Sequence, residues 1–330
     1  MLDLNFESLA EHRPFDATVV VPPISKRWLA EEIEELPPPQ KLLESGSYTI
    51  FVAPAKQIPN VLYEIGRLRE ITFRLVGEGT GESIDLSWFD YHYLHLFLWN
   101  REENELVAAY RIGATDTILP RYGLPGLYTS NLFTYEAELI DYLNPALELS
   151  RAFVRQEYQR EYAALFLLWR GIGRYLVDNP RYKILFGAVS ISPQYRYLSR
   201  QLLLAYLCSN YLQSDLARFA KAKNPPRAVP LPAWGSKKLN IFWKDIEELS
   251  EWISAIEVDR KGAPILLRQY LRLGAKLLGF NQDKSFSNAW DGLILLDLTR
   301  SDPKLLRRYM GAKGVERFFQ YHQSVSPEAA

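Results

Sequence analysis

The chain has 330 residues, 48% hydrophobic and 24% charged, with 39 basic side chains set against 39 acidic ones. That balance excludes a disordered chain and a strongly basic nucleic-acid binder, and the length leaves room for one large core or two modest ones. A single cysteine, Cys208, excludes an internal disulfide framework and a Cys-based zinc site and suits a reducing compartment.

Residues 1–45 end in "EEIEELPPPQKLLESG", an acidic helical run closed by three prolines. It reads as an N-terminal appendage and a Pro-rich linker. The main domain is expected over residues 46–311, with 312–330 as a tail. "YTIFVAP" reads as a strand, and "NVLYEIGRLREITFRLVG" as a helix whose Leu62, Ile65, Leu68 and Ile71 recur at three-residue spacing. "YHYLHLFLWN" and "ELVAAYRIGAT" are strands of a hairpin turned by "REEN". His92 and His95 fall in the first of them as strand or surface residues, with metal ligation the minor alternative and no metal site expected.

After a loop rich in Gly, Pro and Tyr over 120–130, "LELSRAFV" is a strand, "AALFLLWRGIGRYLVDN" a helix and "YKILFGAVSI" a further strand. Helices are expected over 198–220 and 264–280, with "DIEELSEWISAIE" as a third between them, and "NPPRAVPLPAW" is a long loop. "GLILLDLT" is the last strand. This alternation describes an α/β protein with a mixed sheet and extra C-terminal helices. No secretory signal or membrane-length apolar run is evident, so a cytoplasmic location is expected, at the inner face of the membrane if helices 198–220 and 264–280 lie on it.

Charge is unevenly spread. Residues 1–50 carry nine acids against four bases, and residues 151–200 carry nine bases against three acids. The basic run suits an acidic or phosphate-rich partner or a plain solvated face, and no nucleic-acid motif accompanies it.

The segment "ELSRAFVRQEYQREYAALFLLWR" resembles the centre of the GNAT acyltransferase superfamily, in which a bulged strand leads through a turn into a helix N-terminus that holds the donor. Here the turn is "QREYAA", without the usual glycines. The departure resembles the branch that includes the acyl-homoserine-lactone and N-acyl amino acid synthases. Arg69 and Phe73 in "RLREITF", Asp85 and Asp90 in "SIDLSWFDYHYLHLFL", Arg111 in "ELVAAYRIG", and Glu148 and Arg151 in "ELSRAFV" follow that branch's order. "LELSRAFV", "LLWRGIGRYLVDNPRYKILFGAVSI" and "PILLRQYLRLGAKLLGF" further resemble the ornithine-lipid, hemolysin-like N-acyltransferases.

The resemblance implies a GNAT-like fold with a splayed central sheet. It implies transfer of a long, 3-hydroxylated acyl chain from acyl carrier protein to the amine of an amino acid, giving a lyso-aminolipid. Acyl-CoA is the lesser donor, and no tightly bound cofactor is implied. Arg155, Arg160, Tyr162 and Arg174 are the expected donor-binding residues. A catalytically idle acyl-carrier or membrane-binding module and an acyl-amino-acid signal synthase stay open as alternatives.

Amine attack on a thioester needs a neutral amine, a proton acceptor, donors for the oxyanion and exclusion of water. Glu148 is the expected base with Arg151 beside it, or else one half of an ion pair with Arg111 or Arg151. Arg69 and Arg111 suit a substrate carboxylate, with Phe73, Asp85 and Asp90 around them. Tyr195 or Tyr197 could protonate the leaving thiolate or simply pack. Glu148 and Arg151 are three residues apart, so a regular strand would place them on opposite faces, and a β-bulge is expected between them.

Overall fold

Eight strands build one mixed sheet, and the chain's alternating apolar runs account for most of them. The computed structural model describes residues 18–159, 162–227, 243–284 and 286–325, with Tyr162 and Val325 described in backbone only. The sheet runs β1 (Lys41–Ser45), β2 (Tyr48–Pro54), β3 (Leu94–Asn100), β4 (Glu105–Ala114), β6 (Ala146–Val154), β7 (Ile184–Ile191), β10 (Ala289–Asp297) and β9 (Lys276–Asp283) in spatial order. A small second sheet pairs β5 (Phe133–Tyr135) with β8 (Ala220–Ala222).

Helix α2 (Pro59–Leu75) covers one face of the β1–β6 half. Pro59 at its first position is pre-set for helix, and the buried Leu62, Ile65 and Leu68 pack against Phe51, Phe97 and Ala109. Its N-terminus has no capping side chain of its own. Glu32 of α1 (Lys26–Glu34) supplies one, accepting from the Asn60 and Val61 N–H groups at 2.9 and 2.7 Å. Of the described residues before 46, α1 packs on α2 and β1 pairs with β2.

The opposite face is covered by α5 (Tyr162–Asp178). Leu167, Leu168 and Ile172 of α5 join Ile50, Leu96, Leu98, Leu147 and Leu149 in the largest apolar cluster. Helices α6 (Tyr197–Asn210), α8 (Ile246–Ile256) and α9 (Ile265–Arg272) extend that layer. Beyond 311, α11 (Ala312–Val325) follows α10 (Pro303–Met310), and both pack on α5. Short helices α3 (Thr115–Tyr122) and α4 (Ala137–Tyr142) flank β5, and α7 (Ser214–Ala217) precedes β8.

One expected helix is corrected. The 264–280 run is helical only to Arg272, and Gly274 at φ 94 turns the chain into β9. A left-handed residue at a helix end costs a glycine nothing, and "KLLGFNQD" pairs with β10. The helix expected over 198–220 also divides, into α6 and α7. The loop "NPPRAVPLPAW" falls largely outside the described residues.

The centre of the sheet is the part that matters for function. Strands β6 and β7 run parallel, but they pair only over Ala146–Glu148 and Ile184–Phe186 and then part. The same strand carries a bulge: Ala109 and Arg111 of β4, two residues apart, face Phe153 and Ser150, three apart. Arg151 takes φ 53 within it. The splayed α/β sheet is present, and the bulge lies at Arg151 and Ala152, just past Glu148–Ser150, which stay in register with β4.

Candidate active site

Arg69 points inward from α2 into a buried network. Gly66, one turn earlier, lets the neighbouring chain lie on the helix: a Cβ there would sit 2.6 Å from the Leu86 side chain. The Asp85 N–H donates to the Gly66 carbonyl at 3.2 Å, which holds Asp85 next to Arg69. Arg69 lies 3.3 Å from Asp85 Oδ2 through Nε and donates from Nη1 to Asp90 Oδ1 at 2.8 Å.

Asp90 also accepts from the Ser87 N–H at 2.8 Å and from Arg111 Nη1 at 3.2 Å. Burial pushes its carboxyl up, but Arg69 and Arg111 outweigh burial and hold it far below the usual carboxylate range. Arg111 donates from Nε to Ser150 Oγ at 3.0 Å and lies 5.2 Å from the Tyr93 and Tyr128 ring centres. Arg151 Nη1 is 3.5 Å from Asp85 Oδ2, and its guanidinium sits 4.1 Å from the Phe286 ring centre. Three guanidiniums therefore share two carboxylates. Positive charge is in excess, and among the described residues Arg69 Nε, Arg111 Nη2 and Arg151 Nε have no hydrogen-bond partner; of the three cations Arg151 is the one on the cavity wall.

His95 closes this network, its Nε2 2.8 Å from the Asp90 carbonyl. Burial lowers its imidazole to about 4, so the ring is neutral at pH 7. His92 instead contacts the Trp88 and Gly126 carbonyls at 3.1 and 3.0 Å.

Glu148 is fully buried, and its oxygens are occupied. They accept from the Tyr128 N–H at 2.9 Å, the Thr129 N–H at 2.7 Å and the Tyr93 hydroxyl. Its partners are a turn and a tyrosine, not the two arginines that strand spacing offered.

A cavity of about 160 Å³ opens where β6 and β7 part. Tyr110, Leu149 and Tyr270 line it from the α5 side of the sheet, and Phe73, Tyr128 and Arg151 from the α2 side. The remaining wall includes Glu78, after α2, and Asp291, on β10. Glu148, Arg69, Asp85, Asp90 and Arg111 stand behind this wall and do not line it.

Two carboxyls on the wall are strongly perturbed. Burial, and then the charge of Asp291, lift Glu78 to about 7 against the pull of Arg151. Burial also lifts Asp291 to about 7, with Asp283 adding to the rise, while a 2.6 Å hydrogen bond from Ser190 and the charge of Arg151 oppose it. Neither residue stood out in the sequence reading. Asp291 had left a signal there, as a charged residue inside the apolar run "AWDGLILLD".

Residues 68–170 match the Acetyltransferase (GNAT) domain. The glycine N(alpha)-acyltransferase of Bacteroides thetaiotaomicron is 31% identical over 274 residues, covering 79% of this chain and 80% of that one. Its counterpart from Phocaeicola vulgatus is 33% identical over 276 residues, covering 79% and 82%. The chain belongs to the glycine N(alpha)-acyltransferase family. A further structural likeness is to a CoA-dependent acyl-homoserine lactone synthase, BjaI, with SAM and isopentyl-CoA. It has TM-score 0.39 and 12% identity over 83% of this chain and 99% of that one. As a member of the glycine N(alpha)-acyltransferase family the protein is an enzyme, and its reaction joins an acyl group to an amine.

The expected donor-binding residues of this family member are spread along the β6–α5 connection. Arg155 pairs with Glu105 and Glu157 at 3.0 and 3.1 Å, and Arg174 pairs with Asp178 at 2.9 Å on the exposed side of α5. Arg160 and the Tyr162 side chain lie outside the described residues. Tyr195 donates to the Gly262 carbonyl at 2.7 Å, while Tyr197 is exposed. Among the described residues no group of three or more His, Cys, Asp or Glu could hold a metal, and no helix is long and apolar enough to cross a membrane.

Asp291 has a consequence for stability. A carboxyl raised on folding costs nothing below its unfolded value near 4, and the cost grows as pH rises until it is complete above about 7. Asp291→Asn should therefore stabilise the fold at pH 8 by roughly 2 to 4 kcal/mol, at ~1.4 kcal/mol per pH unit, and raise the melting temperature accordingly. The gain should vanish toward pH 4. Equal melting of the two proteins at pH 8 would show that Asp291 is not strained.

Proposed function

We propose that this enzyme moves a long, 3-hydroxylated fatty acyl group from the phosphopantetheine thioester of acyl carrier protein to the amine of glycine. The product is an acyl amino acid of the lyso-aminolipid kind. The observation that carries the reading is the cavity between the parted strands, which is small and is lined by Arg151, whose Nε has no hydrogen-bond partner among the described residues. About 150 Å³ is the size of an apolar cavity that admits benzene, so a small amino acid suits this one better than ornithine does.

Arg151 is the group for the acceptor's carboxylate. Asp85 steadies it, and Arg69, Asp90 and Arg111 hold Asp85 in place. Past Glu148 and Phe186 the facing edges of β6 and β7 have no strand partner between them. Backbone N–H and C=O groups along edges that part in this way suit the amides of a pantetheine arm and the oxyanion that forms at the thioester carbon. Exposed Tyr197, Leu198, Val258 and Ile265 lie on segments that adjoin the cavity-lining Pro264 and Leu266, which supports work at the inner face of the membrane.

The test is to incubate the purified protein with glycine and either acyl-carrier-protein or CoA thioesters and to measure the amide by mass spectrometry. Amide is expected with the carrier protein. Its rate should fall steeply with salt, because exposed charge attraction is screened within about 10 Å at 0.1 M. Arg174→Glu should raise the apparent Michaelis constant for the carrier and leave that for glycine alone. Efficient, salt-independent use of acyl-CoA would replace the donor, and no amide with any amino acid would remove the reading.

A further inference from the structure

We propose that Glu78 and Asp291 are the proton-accepting pair of this cavity and together take the two protons that the acceptor's nitrogen loses. The inference rests on the amine-acylation reading and assigns residues that the family resemblance did not supply.

An amino acid arrives at neutral pH as an ammonium. It must lose one proton to become a nucleophile and a second after the C–N bond forms. The thioester's C–S bond then breaks with its electron pair on sulfur, and the thiolate takes up one of the two protons. The balance is ammonium plus thioester giving amide, thiol and one free proton. Two acceptor sites near the nitrogen serve these two losses, and one of them can return its proton to sulfur.

The cavity provides that arrangement. Glu78 comes from the loop after α2 and Asp291 from β10, and both reach the same small space as Arg151. An amino acid's carboxylate and nitrogen are only two bonds from a common carbon, so a guest held by Arg151 presents its nitrogen to nearby wall groups. Glu148 is not on this wall, and its oxygens already accept two N–H groups and a hydroxyl.

The surrounding charges favour exchange near neutrality. Asp291 faces Asp283 of β9, Arg151 of β6, Tyr128 of the turn before β5 and the neutral Ser190 of β7. Glu78 faces Asp291, Arg151 and Tyr195. Burial holds both carboxyls near 7, helped by the charge of Asp291 at Glu78 and of Asp283 at Asp291, and there each can gain and release a proton in turn.

The experiment compares wild type, Glu78→Gln, Asp291→Asn and the variant carrying both changes in glycine acylation across the pH range at saturating donor. Hydroxylamine, largely unprotonated at neutral pH, is the second acceptor. The variants should fold, since each change removes an unfavourable charge, and thermal melts check this. Wild-type activity should rise with pH through a midpoint near 7. Each variant should lose about 10² to 10⁴ in rate with glycine. In the variant carrying both changes the rising limb should move toward the higher pKa of the free amine, with the Michaelis constant for the donor unchanged. The loss with hydroxylamine should be at least about tenfold smaller, because only one proton then has to be removed. Equal losses with the two acceptors, or a limb still near pH 7 in the folded double variant, would overturn the pair while leaving the acylation reading intact. A wild-type protein that acylates neither acceptor would overturn both.

Discussion

Arg69→Met is expected to destabilise the fold by about 3 to 5 kcal/mol at pH 7, the usual cost of stranding a buried charge by deleting its partner. Arg69 is 1% exposed and contacts both Asp85 and Asp90, themselves 2% and 0% exposed. Methionine fills much of the space but offers no donor. Arg111 and Ser87 still serve Asp90, whereas among the described residues Asp85 keeps only the 3.5 Å side-chain contact from Arg151. With a cation gone, the Asp90 carboxyl should titrate at higher pH in the folded protein than it does in wild type. The loss should then be largest at neutral pH and shrink as pH falls and that carboxyl takes up a proton in the variant. Adding Asp85→Asn should recover part of it, because the second change removes the stranded charge. Denaturant melts of the three proteins at two pH values decide the matter. A single variant that melts with wild type at pH 7 would show the network to be incidental.

The sheet was legible because its strands have few other readings. "YTIFVAP", "YHYLHLFLWN" and "ELVAAYRIGAT" are too short for buried helices, and "REEN" marks the hairpin turn between the last two. Strand β9 was not legible, because "PILLRQYLRLGAKLLG" keeps apolar residues at helical spacing across Gly274. Only the pairing with β10 decides in favour of a strand there. β1, β5 and β8 are three to five residues long and gain their definition from neighbours distant in sequence.

The site divides in the same way. Arg69, Asp85, Asp90, Arg111 and Arg151 were named from the order of motifs, and the structure brings all five into one network. Glu78 lies in a glycine-rich stretch, "VGEGTG", that reads as loop. Its place on a cavity wall depends on how the 76–82 segment meets β10, which no local spacing encodes.

Glu148→Gln is expected to lower stability by roughly 2 to 4 kcal/mol and to reduce activity without moving its pH dependence. The carboxylate accepts three hydrogen bonds, two from consecutive backbone N–H groups of the turn at Tyr128 and Thr129. Hydrogen bonds to a charged group are worth about 1.5 to 3 kcal/mol each, and an amide can match only part of the set. Its NH₂ would turn toward an N–H or a hydroxyl and leave a buried donor unpaired. The turn should loosen, and Tyr128 carries the damage forward, since its ring lines the cavity and lies near both Arg111 and Arg151. The Michaelis constant for the amino acid should therefore rise while the midpoint near pH 7, set by other groups, stays put. Tyr93→Phe, which removes one of the three donors, should reproduce the effect in weaker form, at about 1 kcal/mol. A base at Glu148 demands the opposite pair of results, an intact fold and a lost pH limb. If the Gln variant melts with wild type and its rate no longer rises through neutral pH, Glu148 takes the proton, and the carboxyls of Glu78 and Asp291 serve binding alone.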